Sequence, residues 1–521
     1  EVTIIQSQRE ALAYFSENEN VNFRLFKECL FRNNDIPNNK NSSLNFENQS
    51  LNPAQKEAVE RALCLNINDP FTLIQGPPGT GKTTLIAEIV YQILKRNQKA
   101  LISSHTNIAI DNALEKILEQ NSKLANNICK VGDPVSTLPQ IHGILVDTFP
   151  LAAEKNIVGA TLTKLTVGAK FNKVDWTNPQ YDYVIIDECS MATLSQAICA
   201  IMLGYRIILI GDQKQLPPIL PECRTKELQT SLFEKLIETY PRKSTMLDVQ
   251  YRSNEKIMGW SCDHIYNGLL KTHSTNQNIQ LKTNFRRSNK HQSIVNGINP
   301  IVWIDLQGSR RLWRKYGSGD TCYNPGEAAL TIEIIQSLLA CVLPIEGLPK
   351  KISTISPYRL HADVVGIGCD KKFSSKVDLT EIGEYLSSST VDSFQGREKE
   401  TIIYNLVQTD DHISIKDEKR LNVAVTRGKR KVIIISSFNN FNYSLRHLRS
   451  LKAYVQKHGF YQKCRYRDLD TSSIAKVNDI ANNLIYINSP KAELRRTNLS
   501  PEDRKLLGEL KRTQNRQRKW R

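Results

Sequence analysis

The chain has 521 residues, 40% of them hydrophobic, which is room for two or three domains with cores of their own. It contains no run of eighteen apolar residues and nothing at its start that resembles a signal peptide, so neither a transmembrane helix nor export is indicated. Lys and Arg number 70 against 53 Asp and Glu, a formal net charge of +17 that favours a polyanionic partner, nucleic acid ahead of an acidic membrane.

Residues 1–50 are polar and Asn-rich, with one partly amphipathic segment near Val21–Leu30 and a linker-like run, NNDIPNNKNSS, at 33–43. From Leu51 short apolar runs alternate with helical stretches. FTLIQ (71–75), KALISS (99–104), DYVIID (182–187) and RIILIGD (206–212) read as strands, and TTLIAEIVYQILKR (83–96) as a helix. The alternation resumes after about Tyr240. There IVWIDL (301–306), KISTIS (351–356), TIIYNLV (401–407) and KVIIISS (431–437) read as strands, with helices near 326–341 and 417–429. Strands alternating with helices imply parallel sheets covered on both faces.

Three basic pieces interrupt or follow this pattern. Residues 271–291 carry five Lys or Arg and no acid, within an expected insertion at 271–299. Arg310–Asn324 reads as a second basic, irregular piece. Residues 493–521 carry ten Lys or Arg and four acids, and Ser500-Pro501 is a good helix entry. Eleven cysteines without a CxxC pair argue against a zinc module or a disulfide framework and fit a reducing compartment, cytoplasm or nucleus. Residue 1 is Glu rather than Met, so a fragment of a longer sequence is expected.

The stretch QGPPGTGKTT (75–84) carries the first chemistry. Gly76, Gly81, Lys82 and Thr83 fit G-x-x-x-x-G-K-[ST] between a strand and a helix. Glycines let backbone N–H groups approach phosphate oxygens, and the helix start adds partial positive charge. Lys82 would reach the β- and γ-phosphates, and the Thr83 hydroxyl would ligate Mg²⁺. Pro77, Pro78, Gly79, Thr80 and Thr84 complete the cradle. VIIDECS then ends a strand in Asp187, expected to hold Mg²⁺, and Glu188, expected to orient and deprotonate water. Asn172-Lys173-Val174-Asp175 matches the guanine-reading N-K-x-D, but no D-x-x-G stands between it and the loop, so it reads as a surface loop.

Seven further stretches decide among P-loop machines. LNPAQKEAV (51–59), SSHTNIAIDNAL (103–114), IVGATLTKL (157–165), IGDQKQLPP (210–218), VQYRSNEKI (249–257), STVDSFQGREKE (389–400) and LNVAVTRGKRKV (421–432) resemble superfamily 1 helicases in wording, order and spacing. Their details resemble the branch of the nonsense-mediated-decay helicase and senataxin. Cys189 and Met191 depart from the D-E-A-S-Q wording of that branch without touching the metal or water roles. The resemblance implies an α/β protein of two tandem RecA-like P-loop domains, 51–240 and 241–445, with parallel sheets. An N-terminal segment 1–50, read as a truncated accessory region, would precede them and a basic C-terminal extension 446–521 would follow.

The resemblance also implies residue roles. Gln55 would read adenine and Tyr251 would stack near the base or ribose. Arg252 and Arg427 would be γ-phosphate arginines from the second domain, Gln215 a γ-phosphate sensor, and Gly396 and Glu398 nucleotide contacts. Ser103, Ser104, Thr106, Asn107, Thr161, Thr163, Thr390 and Ser393 would line a track for a single strand, gripping phosphates without reading bases.

The function so implied is an ATP-dependent helicase or translocase, a monomeric motor moving 5′ to 3′ on RNA or DNA. Two alternatives stand beside it: a nucleic-acid-stimulated ATPase acting as a ribonucleoprotein clamp with little unwinding, and a viral replicative helicase. Protein partners would use the N- or C-terminal regions. Only 50 residues stand before Leu51, so the β-barrel that relatives carry before the loop is expected to be absent, truncated or rebuilt.

Overall fold

The computed structural model describes residues 2–17, 26–29, 44–170, 179–218, 230–285, 289–316, 319–341, 352–373, 386–409, 416–438, 445–487 and 508. The N-K-V-D stretch, the 33–43 run and the basic piece 493–521, apart from Gly508, lie outside the described residues. Two compact units divide the chain, Glu1–Gln250 and Tyr251–Arg521.

Eight strands form the sheet of the first unit: β1 Phe71–Gln75, β2 Ala100–Ser104, β3 Ile128–Val131, β4 Leu145–Val146, β5 Ile157–Thr161, β6 Tyr181–Asp187, β7 Gly204–Gly211 and β8 Ser244–Met246. They run in the order β4-β3-β5-β2-β6-β7-β1-β8, and neighbouring strands pair in parallel. The first unit thus runs to Gln250 instead of Tyr240, because β8 pairs with β1, Gln75 opposite Met246.

Apolar residues of the central strands alternate between two cores. Leu73, Leu101, Val184, Ile186 and Leu209 join one, while Ile74, Ile102, Ile185, Ile208 and Ile210 join the other. Period-two alternation with both faces buried is what a parallel sheet requires, and it makes these strands read as unbroken apolar runs. Helices α2 Pro53–Leu63, α3 Lys82–Lys95 and α4 Asn107–Gln120 cover one face. The other is covered by α1 Val2–Glu17, α5 Leu162–Lys170, α6 Leu194–Ile201 and α7 Leu232–Thr239.

The N-terminal segment belongs to this core. Ala11, Phe15, Phe26 and Cys29 are buried in it, Phe26 meets Phe71 edge-on at 5.5 Å, and Tyr240 Oη donates to the Cys29 carbonyl at 3.0 Å. Residues 1–50 are therefore not a detached accessory region where they are described.

The second unit is built on six parallel strands: β9 Ile301–Gln307, β12 Ile352–Ser356, β13 Leu386–Thr390, β14 Lys399–Asn405, β15 Gly428–Ser436 and β16 Phe460–Arg465, in the order β13-β12-β14-β15-β9-β16. Helices α9 Pro325–Cys341, α10 Arg359–Phe373 and α13 Thr471–Ile487 contribute to one core with Val302, Ile304, Ile403, Ile433 and Ile435. Helices α8 Glu255–His264, α11 Glu418–Val425 and α12 Arg446–His458 pack against β15, β14 and β9.

Three expectations change here. Residues 446–487 complete the second unit instead of extending from it: β16 pairs with β9, and Val477, Ile480 and Leu484 are buried in its core. The basic stretch 271–299 is anchored, because Leu281, Ile294 and Val295 enter that core. The piece at Arg310–Asn324 is a regular antiparallel hairpin, β10 Leu312–Tyr316 with β11 Gly319–Tyr323.

Candidate active site

Residues 76–81 join β1 to α3, and glycines set the path. Gly79 and Gly81 have φ of 76° and 81°, the left-handed region that only glycine enters without strain. Gly76 is required by proximity, since a Cβ there would stand 2.5 Å from Lys82 Cγ and Cδ. Pro77 and Pro78 are buried, and the Thr80 hydroxyl donates to the Pro77 carbonyl at 2.8 Å. Gly81 caps α3 without a side-chain bond. The first-turn N–H groups, those of Lys82, Thr83 and Thr84 among them, have no intrahelical acceptor and suit an anion. Lys82 Nζ donates to the Gly76 carbonyl at 2.8 Å and lies 3.9 Å from Glu188 Oε1.

Gln55 braces the loop from α2. Its Nε2 donates to the Thr80 carbonyl at 3.0 Å. Its Oε1 accepts from Asn52 N at 3.0 Å, while Asn52 Oδ1 accepts from Gln55 N at 2.8 Å, so the pair forms a capping box. These bonds use one N–H and one lone pair of the amide and leave one of each.

Strand β6 delivers the acids. Asp187 and Glu188 are 4% and 9% exposed. Glu188 has φ 51°, an unusual conformation for a residue with a side chain, of the kind that concentrates at functional sites. Its N–H donates to Asp187 Oδ1 at 2.9 Å, and its Oε2 is buried with no hydrogen-bond partner. Burial, and then the Glu188 charge, push the Asp187 carboxyl well above the usual carboxylate range, against a smaller pull from Lys82. Two adjacent buried carboxylates, one with an unpartnered oxygen, are hard oxygen donors whose chemistry fits Mg²⁺. Cys189 and Met191 form a buried turn behind them.

Next to β1, β7 carries Gly211, whose carbonyl accepts from Gly76 N at 2.9 Å. Gln215, 2% exposed, donates through Nε2 to Asp212 Oδ2 at 2.9 Å. Asp212 also accepts from Lys214 N at 3.1 Å. Sequence reasoning gave no role to this fully buried Asp; its place in G-D-x-x-Q was the signal.

The second unit gathers its own candidates. Arg252 Nε lies 2.5 Å from Glu398 Oε2, and Lys429 Nζ lies 2.5 Å from Glu398 Oε1. Burial alone would raise the Glu398 carboxyl, but Arg252 and Lys429 outweigh it and hold it down to about 2. Arg252 also donates to the Thr426 carbonyl at 3.4 Å, and Arg427, 3% exposed, donates to the Arg397 carbonyl at 3.4 Å. Gly396 turns the chain before Glu398 with φ 78°. The Tyr251 ring lies 4.8 Å from that of His273, tilted by 35°. Lys429 and Gln395 were missed from sequence. Gln395 is 7% exposed, and neither polar atom of its amide has a hydrogen-bond partner; its place beside Gly396 was the available signal.

The expected track residues divide. Ser103 and Ser104 lie within β2 and are fully buried, and the Ser103 hydroxyl is spent on the Ala160 carbonyl at 2.8 Å. Their side chains therefore do not reach a strand on the surface. Thr106 caps α4, with Asn107 first in that helix, both half-buried. Thr161 ends β5 and Thr163 is exposed on α5. In the second unit the Thr390 and Ser393 hydroxyls lie 2.9 Å apart, both half-buried. In the first unit Ser104 is the Cα partner of both Thr161 and Asp187, and Gln75 that of Gly211. One carboxyl edge thus runs from the phosphate loop past the acids to Thr161, the edge where open α/β sheets bind ligands.

Known proteins show which family the chain resembles. AAA domain families match residues 50–149, 150–221 and 228–439, which is most of the chain. An uncharacterized ATP-dependent helicase of Methanocaldococcus jannaschii is 29% identical over 77% of this chain and 70% of its own length. The DNA polymerase alpha-associated DNA helicase A of Saccharomyces cerevisiae is 28% identical over 75% of this chain and 65% of its own. The DNA-binding protein SMUBP-2 of Rattus norvegicus is 28% identical over 80% of this chain and 46% of its own. The chain belongs to the superfamily 1 helicases. Within that superfamily it falls in the branch of the nonsense-mediated-decay helicase and senataxin. It spans less than two thirds of the length of its yeast relative and less than half of the rat one. Among the described residues no helix is long and apolar enough to cross a membrane.

Proposed function

We propose that this chain is the motor of an ATP-dependent helicase or translocase that moves 5′ to 3′ along single-stranded RNA or DNA. The observation that carries the reading is the carboxyl edge of the first sheet, where a phosphate loop, a buried Asp-Glu pair and candidate strand-gripping residues follow one another in register. Net charge and family membership support it from independent directions.

The residues act as follows in this proposal. The N–H groups after Gly81 and the Lys82 ammonium bind the phosphates of ATP, and Lys82 exchanges its bond to the Gly76 carbonyl for them. Thr83 and Asp187 would hold Mg²⁺, which when bound would supply charge neutralisation at the phosphates. Glu188, its Oε2 free of protein partners, orients the attacking water and takes its proton. Gln215 senses the γ-phosphate from its anchored place on Asp212. Arg252 and Arg427 spread positive charge over the transferring phosphoryl group, while Tyr251, Gly396 and Glu398 contact the nucleotide. Those arginines belong to the second unit, and the proposal gives them this role by their place in the VQYRSNEKI and LNVAVTRGKRKV stretches. Thr106, Asn107, Thr161, Thr163, Thr390 and Ser393 grip the strand backbone, which suits RNA and DNA alike. A reducing compartment, nucleus or cytoplasm, is part of the proposal, and among the described residues no cysteine is in a disulfide.

The test is ATPase activity with and without single-stranded RNA or DNA, followed by unwinding of duplexes with 5′ or 3′ overhangs. Stimulation by a strand and unwinding from 5′ overhangs are expected. Absence of stimulation by either nucleic acid removes the motor reading, and unwinding from 3′ overhangs alone overturns the polarity.

A further inference from the structure

The β10–β11 hairpin puts an aromatic ring among basic side chains at the carboxyl edge of the second sheet. Its first strand follows β9 through the sequence RRLWRKY (310–316). Arg310, Arg314 and Lys315 are exposed, and Trp313 is 38% exposed, unusual for so large an apolar ring. The ring is held in place. The Arg311 guanidinium carbon lies 5.4 Å from the Trp313 ring centroid, and Tyr358 meets the ring at 6.1 Å and 81°. Arg311 is fixed in turn by its bond to the Thr409 hydroxyl at 3.2 Å. Backbone pairing sets Trp313 opposite Cys322, which is buried with Tyr358 and Val407.

The surroundings say what such a ring would meet. Tyr358 lies two residues beyond Ser356, the last residue of β12, and Ser356 is the Cα partner of Thr390. The Val391 N–H donates to the Ser356 carbonyl at 3.1 Å. Thr390 and Ser393, the proposed backbone grips of this unit, therefore sit on the same sheet edge as the hairpin's Tyr358 anchor. A pre-positioned indole, a guanidinium against its ring and three exposed cations offer a stacking surface to a base and charge to its phosphates.

We propose that Trp313, backed by Arg311, is a base-stacking platform for single-stranded nucleic acid on the second unit. The inference rests on the motor reading and adds a contact that the sequence motifs do not contain. Stacking accepts any base, so the platform grips RNA and DNA without sequence preference, while Arg310, Arg314 and Lys315 add a salt-dependent component.

Binding of the whole chain to fluorescein-labelled oligothymidylate and oligouridylate tests it by anisotropy. Trp313→Ala is expected to weaken binding roughly 5- to 150-fold, the range equivalent to loss of one stacked base. Trp313→Phe should recover much of that loss at an unchanged melting temperature, which a merely structural role of the side chain would not give. Lys315→Ala should instead flatten the salt dependence. Strand binding by Trp313→Ala equal to that of the parent chain overturns the platform and leaves the motor reading standing. A parent chain that binds neither strand overturns both.

Discussion

Lys82 Nζ stands 3.9 Å from Glu188 Oε1 while donating to the Gly76 carbonyl at 2.8 Å. The phosphate-binding cation and the proposed base thus share one small volume, with the Lys82 ammonium near one Glu188 oxygen and the other oxygen unpartnered. Lys82→Ala should cut hydrolysis by about 10²- to 10³-fold through loss of charge at the phosphates. Glu188→Gln should cut it by about 10²- to 10⁴-fold while leaving nucleotide affinity nearly intact, since the amide keeps the shape and loses only the proton acceptor. Steady-state turnover with parallel binding of a fluorescent ATP analogue checks both; weakened binding in Glu188→Gln would contradict the assignment.

The second acid makes a prediction with a definite sign. Burial and the Glu188 charge raise the Asp187 carboxyl above its ordinary 3.8 in the folded, nucleotide-free chain. Folding therefore takes up a proton between that value and the raised one, so this contribution to stability is complete in acid and is lost as pH rises through the raised value. Asp187→Asn, which cannot ionise, should raise the melting temperature at mildly alkaline pH by a few degrees, about 1 kcal/mol moving a 150–250-residue domain by roughly 2–4 °C. The gain should shrink in mild acid, and hydrolysis should be lost at every pH. Equal destabilisation at both pH values would refute the burial argument. A site that costs stability in this way is a common companion of activity.

Arg252 and Arg427 differ in how they are held, and their variants should differ too. Arg252 shares Glu398 with Lys429, so Arg252→Ala leaves that carboxylate one partner at 2.5 Å. Arg427 is 3% exposed and donates to the Arg397 carbonyl. Either change should lower hydrolysis by about 10³-fold or more, the usual worth of an arginine at the transferring phosphoryl group. ATP binding should persist in both. Thermal melts should show the larger loss for Arg427→Ala, because its removal opens a buried site. Unchanged turnover in either variant would contradict the role proposed for that arginine.

What the sequence made legible follows from locality and burial. β1, β2, β6, β7, β9 and β15 are buried on both faces, so each prints an apolar run on the chain. β16, FYQKCR, is largely half-exposed at the sheet edge, and the hairpin strand LWRKY is mostly exposed; neither prints such a run. The N-terminal helix hides for a related reason: few side chains, Ala11 and Phe15 among them, carry its docking. In the site, Gly76–Thr83 and Asp187-Glu188 are contiguous words. The Ser103 hydroxyl is different, because its acceptor, the Ala160 carbonyl, lies 57 residues away and only the pairing of β2 with β5 brings it near.

Gln55 joins the two kinds of evidence and supports a test that separates them. Its amide closes the Asn52 capping box and ties α2 to the Thr80 carbonyl, so Gln55→Ala removes both of those hydrogen bonds. That should cost about 1–3 kcal/mol of stability. It should also raise KM for ATP and for GTP, because a loosened loop holds any triphosphate less well. The remaining N–H and lone pair point to a second effect: donation to N7 and acceptance from the N6 amine are complementary to adenine, whereas guanine presents an acceptor at the latter position. KM for ATP should therefore rise by the larger factor, and the preference for ATP over GTP should narrow by about 2- to 12-fold, one such hydrogen bond being worth roughly 0.5–1.5 kcal/mol. Parallel kinetics with both nucleotides and a thermal melt decide the matter. A common rise in both KM values with preference unchanged would leave Gln55 as a brace of the loop alone, and a lost preference without lost stability would show that the bonds to Asn52 and Thr80 are dispensable.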